Sequence, residues 1–304
     1  MKAIQNTRIE TDALNKSNLF SDIFGFKLLL PGSAWVEIGD NIKILQKERA
    51  KTSGFGLEEA LTSAVLSYGC NAVMASGGID SSLIAAILKK KYDKISMVTA
   101  GFSGSPDMVS SHRIADELGA DFVSRTLMEE EIPSILRELK ELGVYGYNLI
   151  IGIGEYAAIE KCADSGITKV LNGLGSDELF FGFARHREVP FDKLELFRES
   201  RLKYIGAIDL DRIYKIAGHF KIEVRFPYLD DEVVRSAVSM PIEEKDEVYN
   251  KKPLRDIAKS LGLSSDLAGR KKKAFQYDTG IMKALDKLAK KEKYKNVGEL
   301  IKNI

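Results

Sequence analysis

From about residue 55 onward, hydrophobic and polar positions alternate between short apolar runs and stretches with a helical period. The apolar runs predict β-strands at Ala72–Ala75, Ile95–Ala100, Phe122–Thr126 and Lys169–Leu171. Between these strands, apolar residues recur every three or four positions, which predicts amphipathic helices. This βαβα succession predicts an α/β fold with a doubly wound parallel sheet.

One of the predicted helices carries an end signal in the sequence. The helix over Met108–Leu118 is followed by Gly119, a residue favoured just after a helix C-terminus. The other predicted helices are Gly56–Leu66, 79–90, Ile132–Leu142 and Glu155–Ala163. Beyond Gly182 the pattern is mostly helical, with an exception at Val224–Asp230. The Lys-rich tail, Met282–Ile304, predicts a solvated surface helix or a partly ordered end.

The first fifty residues follow a different pattern from the rest of the chain. Short runs at Phe26–Leu30, Ala34–Ile38 and Ile42–Gln46 predict strands, and turn-forming residues separate them. Such a β-hairpin unit is too short to bury a core of its own. We therefore predict two parts, an N-terminal β unit over 1–50 and an α/β domain with a helical C-terminal part over 51–304.

The composition indicates which kinds of binding partner and which kinds of metal or disulfide site are not expected. The 304 residues include 45 Lys and Arg against 44 Asp and Glu, so the net charge gives no reason to expect nucleic acid or a membrane surface. No signal peptide core is present, and no apolar run approaches the ~20 residues of a membrane span, which predicts a cytoplasmic protein. Cys70 and Cys162 lie far apart and form no CxxC pair, which argues against a zinc site or a disulfide.

The segment SGGIDS, which follows the first predicted strand, is typical of a phosphate-binding loop. Its two glycines allow a tight turn, and its N–H groups form an anion site with the N-terminus of the following helix. The serine hydroxyls can donate to phosphate oxygens. The acid would repel phosphate directly, so its presence predicts Mg²⁺ between carboxylate and phosphate. The candidate nucleotide-binding residues here are Ser76, Gly77, Gly78, Asp80, Ser81 and Ser82.

Two alternatives bear on this loop. No lysine follows it, so it is not the GxxxxGK[ST] loop that binds phosphates for γ-phosphoryl transfer. The other alternative is an ordinary Gly-rich turn before a helix that Asp or Ser caps. The strand-loop-helix setting favours the phosphate-binding interpretation.

A second acidic, Gly-rich loop follows the fourth predicted strand. Loops after parallel strands open at the same edge of a sheet, so 76–81, 101–107 and 172–178 should converge on one crevice. The alternative for Asp177 and Glu178 is charge complementarity to a helix N-terminus, which does not explain the Gly-x-Gly-Ser before them. The additional candidates are Gly101, Gly173, Gly175, Ser176 and Asp177.

The SGGxDS loop resembles the pyrophosphate loop (PP-loop) of the N-type ATP pyrophosphatases. That group includes synthetases of asparagine, GMP, NAD and argininosuccinate and several tRNA-modifying enzymes, and the loop alone does not choose among them. Four later segments are similar to the asparagine synthetase family. They are Gly104–Asp107, the GxGSDExFxG loop at Gly173–Gly182, Glu223–Asp230, and the basic segments at Lys251–Arg255 and Arg270–Lys272.

This resemblance implies a fold and a chemistry. The fold would be the adenine nucleotide alpha hydrolase-like one, and the activity that of an AMP-forming ligase in asparagine biosynthesis. ATP and Mg²⁺ would adenylate a carboxylate, that of aspartate by family likeness, and an amide would follow. The family pairs its acids on one magnesium ion, which would assign Asp80 and Asp177 as metal ligands with a catalytic role.

Lysines in the basic segments are candidates for stabilising the leaving group, pyrophosphate. Negative charge builds on pyrophosphate as the α-phosphorus is attacked, and a positioned ammonium there lowers the barrier. By the resemblance, Lys251 would supply this charge as a catalytic residue, and Lys272 could assist. The alternatives are a solvated Lys-Lys pair and, for Lys272 within Arg270–Lys273, a solvated charge run.

The chain departs from the glutamine-dependent members of the family at its start. Those members carry an N-terminal glutaminase domain whose nucleophile is the cysteine after the initiator methionine, whereas Lys2 follows Met1 here. The predicted β unit is similar to the last hairpin of that domain. We therefore expect nitrogen from free ammonia, a separate glutaminase subunit or an amine substrate.

Two departures concern the carboxylate acceptor. The family has Glu between the glycines of the second loop, where this chain has Leu174. It also places an Arg, thought to meet aspartate, where this chain has the uncharged run Asn148–Ile150. A carboxylate pocket without its arginine loses a bidentate contact. The ATP half of the site looks intact, and the acceptor half looks altered.

Two further hypotheses stay open. A tRNA-modifying ATP pyrophosphatase keeps the chemistry, but thiolating relatives usually need cysteine pairs, and the charge balance gives no RNA footprint. A non-catalytic nucleotide-binding subunit fits the altered acceptor residues but not the retention of Asp80, Asp177 and Lys251. A homodimer is plausible, and nothing in the sequence decides it.

Overall fold

A five-stranded parallel sheet is the centre of the fold. The structure, a computed structural model, describes residues 56–242, 251–264 and 275–304. The strands are β1 (Ala72–Met74), β2 (Ser96–Phe102), β3 (Asp121–Leu127), β4 (Lys169–Leu171) and β5 (Glu223–Arg225). Their order is β3-β2-β1-β4-β5, and every neighbouring pair is parallel. The predicted doubly wound α/β class is confirmed.

The strand order defines where a ligand would bind. From the central β1 the chain builds outward through β2 and β3, then crosses to β4 on the other side of β1. The order therefore reverses between β1 and β4, which are paired through Val73 and Leu171. In open α/β sheets, the crevice beyond the carboxyl ends of the strands at such a reversal is the usual ligand site.

Helices connect the strands much as the periodicity predicted. In chain order the described α-helices are α1 (Leu57–Ser67), α2 (Ile79–Lys91), α3 (Pro106–Leu118), α4 (Ile132–Glu141), α5 (Asn148–Asp164), α6 (Ser176–Leu179), α7 (Leu194–Ile205), α8 (Asp211–Phe220), α9 (Asp231–Ser239), α10 (Lys252–Ser260), α11 (Phe275–Asp278), α12 (Ile281–Lys291) and α13 (Val297–Asn303). Helices α3 and α5 pack against β2 and β3, and α2 packs against β1. Gly119 ends α3 in the left-handed conformation, with φ of 58°, as its position predicted.

The C-terminal tail differs from its prediction. Instead of a solvated or partly ordered end, it forms α12 and α13, and each has one buried apolar face. Ile281 and Leu285 of α12 are fully buried, and Leu300 of α13 is 1% exposed. The lysines lie on the other face, so the amphipathic pattern reflects packing against the protein body rather than a free surface helix.

The described residues form two compact units. One combines Leu174–Asp211 with the described residues of Tyr228–Lys252 and of Met1–Leu61, and we call it the small unit. The other, here the sheet unit, comprises Thr62–Gly173, Arg212–Pro227 and the described residues of Pro253–Ile304. All five strands belong to the sheet unit. The predicted β unit at 1–50 lies outside the described residues, and the division into 1–50 and 51–304 stays a prediction.

Among the described helices, none combines the length and the apolar character that crossing a membrane requires.

Candidate functional site

The first Gly-rich loop joins β1 to α2 in the sheet unit. Ala75 continues the strand, because its N–H donates to the carbonyl oxygen of Val98 at 2.7 Å. Gly77 then takes a φ of 64°, which favours glycine, and Gly78 is the N-cap residue of α2 with extended backbone. The chain thus turns sharply from a buried strand into a helix whose first N–H groups face the loop. This is the backbone form of an anion site.

Serine side chains hold the backbone of this loop. The Ser82 hydroxyl donates to the carbonyl oxygen of Gly78 at 2.7 Å, and the Ser81 hydroxyl donates to the same oxygen at 3.3 Å. Ser81 Oγ also accepts from the backbone N–H of Ser76 at 3.3 Å. Both serine side chains are buried, whereas Asp80 in the first turn of α2 is half-buried. Ser81 and Ser82 therefore shape the loop, and their contact with phosphate stays a prediction.

The second Gly-rich segment begins beside the first. At the end of β4, the N–H of Asn172 donates to the backbone carbonyl oxygen of Arg225 in β5. The side-chain amide of Asn172 lies 3.4 Å from the sulfur of Met74 in β1. A Cβ at Gly173 would be 3.2 Å from the Cβ of Asp80. Glycine at this position therefore lets the chain leaving β4 pass close to the acid of the first loop.

Arg255 of α10 is a neighbour of Asp80 and is not among the individually predicted site residues. Burial lowers the pKa of the Arg255 guanidinium, and the negative charge of Asp80 opposes that change. This coupling places a cation near the carboxylate within the sheet unit. Sequence offered only the general likeness of Lys251–Arg255 to a basic family segment as a signal.

The loop after β2 is closed by the segment that follows α11. The N–H of Phe102 donates to the carbonyl oxygen of Thr279 at 2.9 Å. A Cβ at Gly101 would be 2.9 Å from Ser105 Oγ and 3.3 Å from that same Thr279 oxygen. Gly101 thus permits a close backbone approach at the carboxyl end of β2. Thr279, fully buried, was not predicted, because no local pattern links it to Gly101.

The second loop continues in the small unit as a tight turn into the short helix α6. Gly175 has φ of 99°, and a Cβ there would lie 2.6 Å from Leu229 Cδ2. Both the backbone conformation and the space therefore require glycine at this position. Ser176 and Asp177 open α6, with Ser176 fully buried and Asp177 half-exposed.

Lys251 meets this turn directly. Its ammonium Nζ is 2.6 Å from Asp177 Oδ1 and donates to Ser176 Oγ at 3.0 Å. Lys251 is 7% exposed, and its φ of 52° is unusual for a residue other than glycine. The structure thus brings Lys251, within the small unit, to the adjacent pair Ser176 and Asp177, from which it is distant in sequence, and all three are predicted site residues. The alternative of a solvated lysine pair is wrong for Lys251, because its side chain is buried.

A buried carboxyl lies next to this cluster. The pKa of Glu178 is raised to about 7, chiefly by burial and in part by the neighbouring carboxylates Asp209 and Asp177, while Arg201 opposes the rise. Arg201 Nη2 donates to Glu178 Oε1 at 3.3 Å. The sequence marks Glu178 as part of a motif and as an acid at a helix N-terminus, but the burial of an acid cannot be read from its neighbours in the chain.

Lys272 and the charge run around it lie outside the described residues. Within 56–242, 251–264 and 275–304, no group of three or more His, Cys, Asp or Glu side chains is arranged to hold a metal ion. The pairing of Asp80 and Asp177 on one magnesium ion therefore stays a prediction, as do the roles assigned to the individual loop residues.

The uncharged run Asn148–Ile150 at the start of α5 is buried or bonded within the protein. Asn148 Oδ1 accepts from Arg212 Nη1 at 2.7 Å. Leu149 and Ile150 are buried, at 1% and 5% exposure. Arg212 also pairs with Glu155 further along the helix. The arginine that contacts this run, Arg212, is therefore held by protein groups.

Strand order, the turn after β1 and the acidic second loop together define a doubly wound α/β protein of the nucleotide-binding class. A family model described as asparagine synthase matches residues 56–203 and 193–296, which is most of the chain. The chain therefore belongs to the asparagine synthase family. The resemblance drawn from the motifs is confirmed.

Individual relatives agree with this assignment. A candidate asparagine synthetase (glutamine-hydrolyzing) of Methanocaldococcus jannaschii is 31% identical over 262 residues, covering 72% of this chain and 47% of the relative. Asparagine synthetase B (glutamine-hydrolyzing) of Escherichia coli K12 is 28% identical over 247 residues, covering 74% of this chain and 44% of the relative. The chain thus spans about half the length of these curated relatives.

Proposed function

We propose that this protein is an ATP-dependent, AMP-forming ligase that adenylates a carboxylate and converts it to an amide. The observation that carries the proposal is the turn of Gly77 and Gly78 into α2 at the reversal of strand order, with Gly173 passing beside Asp80. Membership of the asparagine synthase family supports the same chemistry.

The proposed reaction has two steps. A carboxylate oxygen of the substrate attacks the α-phosphorus of ATP, and the bond to pyrophosphate breaks. Ammonia or an amine then attacks the acyl carbon and loses a proton to solvent, and AMP leaves with the electron pair of the broken C–O bond. The anion site at the start of α2 would bind the phosphates, and the Lys251 ammonium would stabilise charge on departing pyrophosphate.

Mg²⁺ is the proposed metal ion, because carboxylates are donors that it accepts. Magnesium keeps several waters and usually binds proteins through one or two carboxylates together with substrate phosphates, so a closed cage of protein ligands is not required. Asp80, at the phosphate turn, and Asp177, after the second loop, are the proposed carboxylates. When bound, the ion would offset the negative charge of the triphosphate.

By family likeness the proposed acceptor is aspartate and the product asparagine. The nitrogen would come from ammonia or from a separate glutaminase subunit, as the names of the glutamine-hydrolyzing relatives suggest. Another carboxylate is the second candidate. It is favoured by Leu174 in the second loop and by the buried, uncharged Leu149 and Ile150, since aspartate offers an extra charge that needs a partner.

Exchange of labelled pyrophosphate into ATP, run with a panel of carboxylic acids, tests the proposal because exchange requires a reversible adenylation. Exchange with aspartate supports asparagine synthesis. Exchange with another acid alone keeps the ligase and replaces the acceptor. If the protein binds ATP and no acid supports exchange, a nucleotide-binding subunit replaces the enzyme.

A further inference from the structure

Gly182 lies where the acid and the lysine of the small unit meet. It follows α6 in the chain, and its N–H donates to the carbonyl oxygen of Asp177 at 2.9 Å. A Cβ built on Gly182 would overlap both Asp177 Oδ1 and Lys251 Cε, and would lie 2.9 Å from Asp177 Cγ. The nearest heavy atoms to that Cβ are therefore all in the side chains of the ion pair.

The requirement for glycine here is one of space, not of backbone conformation. Gly182 does not have the positive φ that favours glycine, in contrast to Gly175, whose φ is 99°. An L-amino acid could therefore adopt the backbone of Gly182. What it could not do is place a side chain without moving the Asp177 carboxylate or the Lys251 ammonium.

The two partners differ in how easily they can move, because the half-exposed Asp177 carboxylate ends a short side chain that can rotate away, whereas Lys251 is held in place. Lys251 is 7% exposed, its ammonium also donates to the buried Ser176 hydroxyl, and its backbone is in the left-handed region at φ of 52°. A non-glycine residue stays in that region only where surrounding structure fixes it, often at functional sites. A methyl group at 182 would therefore separate Lys251 from Asp177 rather than be accommodated beside them.

We propose that Gly182 is a positioning residue, whose missing side chain lets the Lys251 ammonium contact the Asp177 carboxylate and the Ser176 hydroxyl. The expected effect of Gly182 on turnover rests on the proposed function, whereas its effect on the Lys251–Asp177 ion pair does not. The pair sets the place of the ammonium before a substrate arrives. A positioned charge of this kind lowers a barrier without a cost of reorganisation.

The direct test is a stability cycle by urea unfolding. Gly182→Ala is made in the natural chain and in a chain that carries Asp177→Ala and Lys251→Ala, which removes the atoms in conflict. We expect Gly182→Ala to lower the midpoint in the first background and to have little effect in the second. Gly218→Ala is the matched control, because a Cβ at this α8 glycine meets nothing within 4 Å; it should lower the midpoint in neither background.

The outcomes separate the proposal from its alternatives. An equal penalty in both backgrounds would show that Gly182 serves the backbone and would overturn the proposal. If Gly182→Ala does not fold alone but folds together with the two alanine substitutions, the proposal is supported. If neither folds, it is overturned, because relief of the overlap was expected to restore folding.

Turnover gives a second readout, distinct from folding. In pyrophosphate exchange, folded Gly182→Ala should lose about tenfold or more in kcat with a smaller change in KM for ATP, because the ammonium acts on charge in the transition state. Gly218→Ala should keep the natural rate. If the natural protein shows no exchange with any acid, the proposed function fails while the stability cycle still decides the role of Gly182.

Discussion

Arg212 of α8 donates two hydrogen bonds to the carboxylate of Glu155 in α5, from Nε to Oε2 at 2.6 Å and from Nη2 to Oε1 at 2.9 Å. Both residues are buried, at 2% and 8% exposure, and a third guanidinium nitrogen donates to Asn148. Such a two-pronged contact is among the stronger ion pairs in proteins. It joins two helices of the sheet unit and holds the start of α5.

Removing the Glu155 carboxylate should destabilise the protein strongly. Glu155→Ala leaves the Arg212 charge buried without its main counter-charge, and we expect a loss of about 3–5 kcal/mol in the free energy of unfolding. Glu160→Ala on the same helix is the control, since its pair with Arg125 is more exposed and should contribute no more than about 1 kcal/mol. Urea unfolding of both variants measures the difference, and equal losses would contradict it.

Loss of the Lys251 ammonium should slow adenylation more than it weakens ATP binding. With Lys251→Ala we expect pyrophosphate exchange to fall about 10²–10³-fold, the usual cost of losing one donor that stabilises transition-state charge. Lys259→Ala, an exposed lysine of α10, is the control and should leave exchange unchanged. Nucleotide titration distinguishes the two effects. Unaltered turnover in Lys251→Ala would remove the catalytic role.

Asp80 should make nucleotide binding depend on magnesium. Asp80→Asn keeps the shape of the side chain but removes its charge, so the repulsion of metal-free ATP falls and the contact with a metal ion weakens. We therefore expect ATP to bind more tightly without Mg²⁺ and the gain in affinity on adding Mg²⁺ to shrink. Titration calorimetry with and without Mg²⁺ measures both.

Asp93→Asn, at an exposed position beyond α2, is the control for the Asp80 experiment and should change neither affinity. A uniform loss of ATP affinity in Asp80→Asn, independent of Mg²⁺, would show that the aspartate supports the loop structurally instead of facing a metal-bound phosphate.

Alkaline pH should destabilise the fold through Cys162. The pKa of this thiol is raised from 9.0 to about 12, chiefly by burial and in part by Cys70. Between these values the unfolded chain loses the thiol proton and the folded protein keeps it, so stability falls as pH rises. Cys162 should contribute about 1.4 kcal/mol per pH unit to this slope. Cys162→Ala should flatten the dependence above pH 9, and an unchanged slope by urea unfolding would contradict it.

Local signals predicted much of the sheet unit. The strand at Lys169–Leu171 has the predicted bounds, and Gly119 ends α3 in the left-handed form expected of a residue after a helix. Both features depend on residues that are neighbours along the chain. The hydrophobic period marks the strand, and the backbone preference of glycine marks the helix end. By contrast β5, Glu223–Arg225, was not predicted as a strand; the sequence marked Val224–Asp230 merely as an exception within a helical stretch.

The tail shows why a charge pattern alone misleads. Lysines over Met282–Ile304 suggested a solvated helix, yet Leu285 and Leu300 are buried on the faces opposite to them. An amphipathic helix has the same sequence whether its apolar face is covered or not. Only the surface against which it packs decides between the two.

The sequence by itself determined the two Gly-rich turns, their acids and the parallel sheet, because each is written in residues that adjoin one another. Tertiary structure decided which distant side chains meet. It set Lys251 against Asp177 and Arg212 against Glu155, and it buried Glu178. Contact, burial and the resulting pKa arise from packing between segments far apart in the chain, and no local pattern contains them.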